Sequence, residues 1–266
     1  MSREPKLFNS HLLKITMTHL STQLREGTQA SHTLAENTAY MKCFLKGIVE
    51  REPFRKLLAN LYFVYSTLEA GFEQHKDHEI VGRLYFPELN RTANLEQDLA
   101  FYYGKNWKND IAPLPAGKVY CDRLQELIEK NPVLLIAHAY TRYMGDLSGG
   151  QSLKGIIRSA LELPDEKGTR FYEFEAFSTP AERRTFKDVY RQALDDLPLD
   201  DLTIKAIVEE ANYAFALNRD VMHDLEPDVK AAIGDHTFDL LTRQDRPGST
   251  ERHRPNHGTV ALVAAE

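Results

Sequence analysis

Tyr140-Thr-Arg-Tyr-Met-Gly145-Asp146-Leu-Ser-Gly149-Gly150-Gln-Ser-Leu-Lys154 is the stretch from which the fold is read. It lies in a long helical pattern. Val133, Leu134, Ile136, Tyr140, Met144 and Leu147, then Leu153, Ile156, Ile157, Ala160 and Leu161, recur at helical spacing. Yet Gly145, Gly149, Gly150 and Gly155 interrupt it. Each interior glycine costs a helix about 1 kcal/mol against alanine, so the four cost roughly 3–4 kcal/mol. A helix that carries this cost has its backbone close to something. Asp146, Gly149 and Gly150 stand at i, i+3 and i+4 and share a face of bare backbone beside one carboxylate. Such a face suits a flat, bulky ligand. Close packing of helices, or a break between two helices, would use the same glycines.

Outward from this stretch the helical pattern continues in both directions. Ser21 is a candidate N-cap for a first helix bearing Leu24, Thr28, His32 and Ala35. A second helix is expected over 38–49, ending near Gly47. Pro53 suits position N1 of a third, whose stripe holds Phe54, Leu57, Leu58, Leu61, Tyr62, Tyr65 and Leu68. Further helices are expected over 92–103, stopped by Gly104, over 116–130, and from Pro132. The remaining ones run from Pro180 to about Leu197 and over 201–222 and 227–243. No alternating strand pattern and no repeat is present. The architecture expected is all-α and single-domain, with helices packed at varied angles. Residues 1–17 read as a disordered N-terminal extension with Met17 a candidate start, 18–245 as the domain, and 246–266 as a disordered, Pro/Gly-rich tail.

Composition narrows the function. The net charge is −6 over 266 residues, which argues against general nucleic-acid binding. Cys43 and Cys121 form no CxxC pair or zinc cluster, which fits a reducing compartment. No run approaches the ~20 apolar residues of a membrane span, so a soluble, cytoplasmic protein is expected. Di-iron carboxylate bundles need Glu-x-x-His on two helices, and helical zinc proteases need HExxH; neither occurs. No Walker-type phosphate loop is present.

Two histidines compete as a metal ligand. His32 precedes Glu36 by one turn, and a carboxylate beside a ligand histidine orients its ring. A surface charge pair would have the same spacing. His138 steps along the glycine-bearing helix with Arg142 and Asp146. Spacing does not choose between them. Lys187 and Arg191 are neighbours at i, i+4, and Arg25 lies two turns before His32. Such basic residues clamp carboxylates, or simply make a solvated face. Tyr190, Tyr213 and Phe215 read singly as core.

Four segments together carry a resemblance: Leu24–Asn37, Tyr140–Gln151, Phe186–Arg191 and Glu210–Asn218. They resemble heme oxygenases over about residues 18–245. Tyr140-Thr-Arg-Tyr-x-Gly-Asp-Leu-Ser-Gly-Gly-Gln151 is the most specific part. Ala35–Tyr62 and His236–Glu251 are similar to cyanobacterial members, their second isoform in particular. The resemblance implies a helical fold holding heme b between a proximal and a distal helix. Heme, both substrate and cofactor, is cleaved with O2 and electrons at the α-meso carbon to biliverdin IXα, CO and Fe2+, feeding bilin synthesis. It makes His32 the iron ligand and puts Gly145, Asp146, Ser148, Gly149 and Gly150 on the distal helix. Arg25, Lys187, Arg191 and Tyr140 match residues near the propionates. Tyr65, Arg142 and Asp146 match the polar network around distal water, and Phe215 and Asn218 line the pocket. Many relatives have a second Lys where this chain has Gln29, which weakens that propionate contact or leaves it to water. The membrane anchor and Cys-Pro motifs of some animal members are absent. Ferredoxin is the implied electron donor, docking on Lys154, Arg158, Arg183, Arg184, Lys187 and Arg191, and a bilin reductase is a downstream partner. A heme carrier or sensor without turnover would share the histidine and the pocket. It would not need Asp146 to organise water.

Overall fold

Helix α11, Asp201–Ile233, is the axis against which most of the chain is packed. The computed structural model describes residues 19–250. Before α11 in the chain come α1 (Leu20–Gly27), α2 (Gln29–Glu36), α3 (Ala39–Phe44), α4 (Arg51–Gln74) and α5 (Thr92–Tyr103). They are followed by the short α6 (Trp107–Asp110), then α7 (Pro115–Lys130), α8 (Leu135–Ser148), α9 (Gly150–Ala160) and α10 (Pro180–Asp195). The last is α12 (Asp235–Thr242). Among the described residues there is no strand. No helix among them is long and apolar enough to cross a membrane.

The apolar stripe of α4 builds the centre. Phe54, Leu58, Tyr65 and Leu68 are fully buried, and each buried side chain of this size contributes about 1.5–3 kcal/mol. Two glycines bring α4 and α7 together. A Cβ on Gly117 would lie 2.0 Å from Asn60 Oδ1, and one on Gly71 would lie 2.7 Å from Ile128 Cγ1. On the far side of α7, His138 of α8 is wholly buried. Its Nε2 lies 2.9 Å from Glu210 of α11 and its Nδ1 3.3 Å from the Tyr120 hydroxyl of α7. Arg123 donates two hydrogen bonds to the same Glu210, at 3.0 and 2.6 Å. Burial lowers the pKa of His138, opposed by the hydrogen bond and charge of Glu210. Both of its nitrogens are taken, and it ties three helices together.

Several helix ends differ from those read in the sequence. Ser21 is not the cap: His19 precedes α1, and Ser21 N and Oγ each donate to the Asp195 carboxylate at 2.8 Å. The first helix breaks at Thr28 into α1 and α2, and the second stops at Phe44, capped at its start by Thr38. Helix α4 begins at Arg51, so Pro53 is its third residue, where an N–H has no intrahelical partner. Pro132 opens a 3-10 turn before α8. The glycine-bearing helix is divided at Gly149. The two helices expected over 201–222 and 227–243 are divided at Gly234 instead, and Pro227 lies inside α11. Buried Val221, Leu225 and Val229, one turn apart, anchor the helix on either side of the proline. Residues 246–250, read as the start of the tail, are described and lie along α2. The expectations for 1–18 and 251–266 fall outside the described residues.

Candidate active site

Successive turns of α11 hold the end of α1 and then α2 in place. A Cβ on Gly27 would lie 2.6 Å from Val208 Cγ1, so only a glycine allows this approach. Asn212 then accepts from Ser31 Oγ at 2.5 Å and donates to Gly27 O at 3.1 Å. One turn on, Phe215 meets the edge of His32 with ring centroids 5.7 Å apart. These contacts fix the imidazole. Its Nδ1 is buried without a hydrogen bond, 3.8 Å from Glu36 Oε2. The side chain is 34% exposed, and Nε2 is the nitrogen left accessible.

Helix α8 presents the glycines. A Cβ on Gly145 would meet nothing within 4 Å, and one on Gly149 only Gly145 O at 3.8 Å. These two do not serve helix packing; they leave an open bed of backbone. Gly150 differs, since its Cβ would sit 3.2 Å from the Tyr172 ring. Ser148 is exposed beside the bed and accepts from Lys187 Nζ at 3.2 Å.

Behind the bed lies a buried polar chain. The Tyr65 hydroxyl donates to Asp146 Oδ2. Arg142 Nε donates to that hydroxyl at 3.1 Å, and Arg142 Nη1 donates to Asn218 Oδ1 at 2.5 Å. Tyr65 is fully buried and wedged against Phe171 at 5.4 Å and Tyr143 at 5.8 Å. Burial pushes the Asp146 carboxyl above its usual range, opposed by the Arg142 charge and the Tyr65 hydrogen bond. Burial also pushes Tyr65 up. Burial alone would lower Arg142, but Tyr65 and Asp146 hold it above its ordinary value and so keep it charged.

Positive charge gathers at one side. Burial lowers Lys187, and the nearby Arg191 and Arg184 add to this. Tyr140 is raised by burial, and Arg191 and Arg25 both lie near enough to oppose that rise. Arg25 itself is 72% exposed. Of the expected ferredoxin-facing residues, Lys154 is paired with Glu173 at 3.0 Å and Arg158 reaches Asp165 and the Pro164 carbonyl. Arg183 binds the Phe177 and Ser178 carbonyls. On α10, Arg184 and Arg191 are exposed, Arg191 pairing with Asp188 at 2.7 Å, while Lys187 is half-buried beside Ser148.

Sequence reading missed three supports. Phe171 and Tyr172 lie in a stretch with no periodicity, yet they back Tyr65 and Gly150. The Ser31–Asn212 pair has no sequence signal at all. The Ser249–Glu36 contact joins residues 213 apart.

The heme oxygenase family profile matches residues 18–224. The chain belongs to the heme oxygenase family. It is 65% identical to heme oxygenase 2 of Synechocystis sp. over 94% of this chain and all of that one. Identity to heme oxygenase 1 of the same organism is 51%, over 88% of this chain and 95% of that one. The crystal structure of the Synechocystis heme oxygenase-2 in complex with heme and NO superposes with a TM-score of 0.87. That match has 68% identity and covers 88% of this chain and 96% of that chain. The heme oxygenase is therefore an oxidoreductase that cleaves heme to biliverdin. Its likeness is greater to the second cyanobacterial isoform than to the first. The residues present fit heme: one accessible imidazole nitrogen, a bare helix face without Cβ atoms, and cations at one margin.

Proposed function

We propose that His32 Nε2 ligates the iron of heme b while Gly145 and Gly149 bed the macrocycle, with Ser148 and Gly150 beside it. Arg25, Lys187, Arg191 and Tyr140 hold the propionates, and Phe215 and Asn218 line the pocket. Heme supplies the iron that takes O2 and the meso carbon that is oxidised. The protein's part is orientation and proton control, directing cleavage to the α-meso carbon and biliverdin IXα, CO and Fe2+. Electrons come from a small acidic ferredoxin docked on the outward cations of α10. The reaction takes place in the cytoplasm, and a bilin reductase consumes the product.

The observation that carries this reading is Asp146. Its Oδ2 is taken by Tyr65, and its Oδ1 has no hydrogen bond to the described residues. A carboxylate fixed on one oxygen can order water with the other. Its raised pKa brings it nearer the range in which a proton is held and released. A carrier has no use for this arrangement beside an open glycine face. Asp146→Ala should still bind heme through His32 but yield little biliverdin, a loss on the order of tenfold or more. Asp146→Asn should retain more, because an amide still organises water. The measurement is bilin formed per bound heme with reductant and air. A normal yield in Asp146→Ala would remove Asp146 from the mechanism and leave it as a structural partner of Arg142.

A further inference from the structure

One stripe of α2 is covered by the segment Arg246–Thr250. Asn37 Oδ1 accepts from Arg246 N at 2.8 Å, and Asn37 Nδ2 donates to Arg246 O at 2.9 Å. Gly248 is buried against Thr33, where a Cβ would lie 2.1 Å from Thr33 Oγ1. Ser249 N donates to Glu36 Oε2 at 2.7 Å, and Ser249 Oγ donates to Glu36 Oε1 at 2.5 Å. Gln29 Nε2 donates to Thr250 O at 3.4 Å. Gln29, Thr33, Glu36 and Asn37 recur at i, i+4, i+7 and i+8, so they form a continuous track. Upstream, Lys42 anchors the approach through Thr242 O at 2.9 Å and Asp245 at 2.6 Å. The departure at Gln29 gains a use here, since its amide faces this segment.

We propose that residues 246–250 are a strap that positions the proximal ligand, with Ser249 as a positioning residue acting on His32 through Glu36. The inference rests on His32 being the iron ligand. Both Glu36 oxygens accept from Ser249, and Glu36 Oε2 stands 3.8 Å from His32 Nδ1, too far for a hydrogen bond. The strap thus holds the carboxylate back from the ring. A carboxylate that accepts fully from the Nδ1–H makes the ligand nitrogen more basic and binds iron more strongly. Held by Ser249, Glu36 leaves His32 closer to a neutral imidazole. Loss of Ser249 Oγ releases one carboxylate oxygen and lets Glu36 close on Nδ1. Gly248 is required because any side chain there lifts the strap off Thr33.

The test uses the full chain loaded with heme. Ser249→Ala and Gly248→Ala should each raise the ferrous iron–histidine stretching frequency and lower the heme midpoint potential. In a Glu36→Gln background, Ser249→Ala should add no further shift, since the two act in series. Hydrogen exchange at the Ser249 amide should quicken in Glu36→Gln. Unchanged stretch and potential in both Ser249→Ala and Gly248→Ala would overturn the strap. Survival of the histidine stretch in His32→Ala would instead overturn the ligand assignment on which it rests. The two failures are thereby separate.

Discussion

The open face of α8 makes a prediction in which stability and function move in opposite directions. Alanine at Gly145 adds a methyl that meets nothing within 4 Å, and alanine at Gly149 meets only a carbonyl at 3.8 Å. Gly149 already has helical φ −76° and ψ −27°. Neither substitution strains the protein without heme. Each should instead recover much of the helix penalty of glycine, about 0.4–1 kcal/mol. The double variant should gain on the order of 1–2 kcal/mol, a rise of roughly 2–8 °C in the apoprotein's melting temperature. Gly150→Ala is the contrast. Its methyl meets the Tyr172 ring at 3.2 Å, so it should gain nothing.

With heme present this gain should be largely cancelled. Two methyls on the bed displace the macrocycle, and a tenfold weaker affinity removes about 1.4 kcal/mol of ligand-induced stabilisation. The assay is differential scanning calorimetry of each variant with and without heme, followed by bilin yield per bound heme. A double variant less stable than the parent without heme would restore the packing explanation of these glycines. A more stable apoprotein with normal heme-induced stabilisation and normal bilin yield would show that heme lies elsewhere.

Glu210 governs part of the acid response. Burial would raise it, but hydrogen bonds from His138 and Arg123 bring it down to about 2 from an ordinary 4.5. Its contribution is complete above pH 4.5 and is lost as pH falls toward 2. That contribution is on the order of 1–3 kcal/mol, and Glu210→Gln should flatten the urea-measured stability profile over that window. An unchanged slope would deny the group this role. Ferredoxin-supported turnover should fall as salt rises from low to moderate, because opposite charges steer the encounter within a Debye length of ~10 Å. Arg184→Glu should slow it further under donor-limited conditions, and a salt-independent rate would exclude the α10 face.

What the sequence discloses follows from the range of each interaction. Helix 92–103 and its stop at Gly104 are legible because punctuation and periodicity are local. The Tyr65–Arg142–Asp146 association entered through resemblance; residues 77 and 81 apart carry no local signal of contact. Pro227 misled because proline reads as a breaker, whereas the buried stripe on either side of it outweighs one lost hydrogen bond. His32 and His138 were equivalent by spacing. They differ in what the fold supplies: two hydrogen-bond partners for the buried ring, and none for the half-buried one.

The two halves of the site share one ruler. Val208, Asn212 and Phe215 of α11 hold Gly27, Ser31 and His32, and Asn218, three residues on, takes Arg142. One turn beyond, Met222 accepts from Thr38 Oγ1 at 3.5 Å. These positions advance by three or four and stay on one face of the helix. The His32 ring and the Tyr65–Arg142–Asp146 chain are therefore set by the same helix rather than by separate loops. Glu210, on this same helix, locks α11 to α7 and α8 from the other side. A rotation of α11 by one residue, about 100°, would lose every one of these contacts together. The separation of His32 from Asp146 is thus a property of α11's register, and the buried His138–Glu210–Arg123 cluster is what fixes that register.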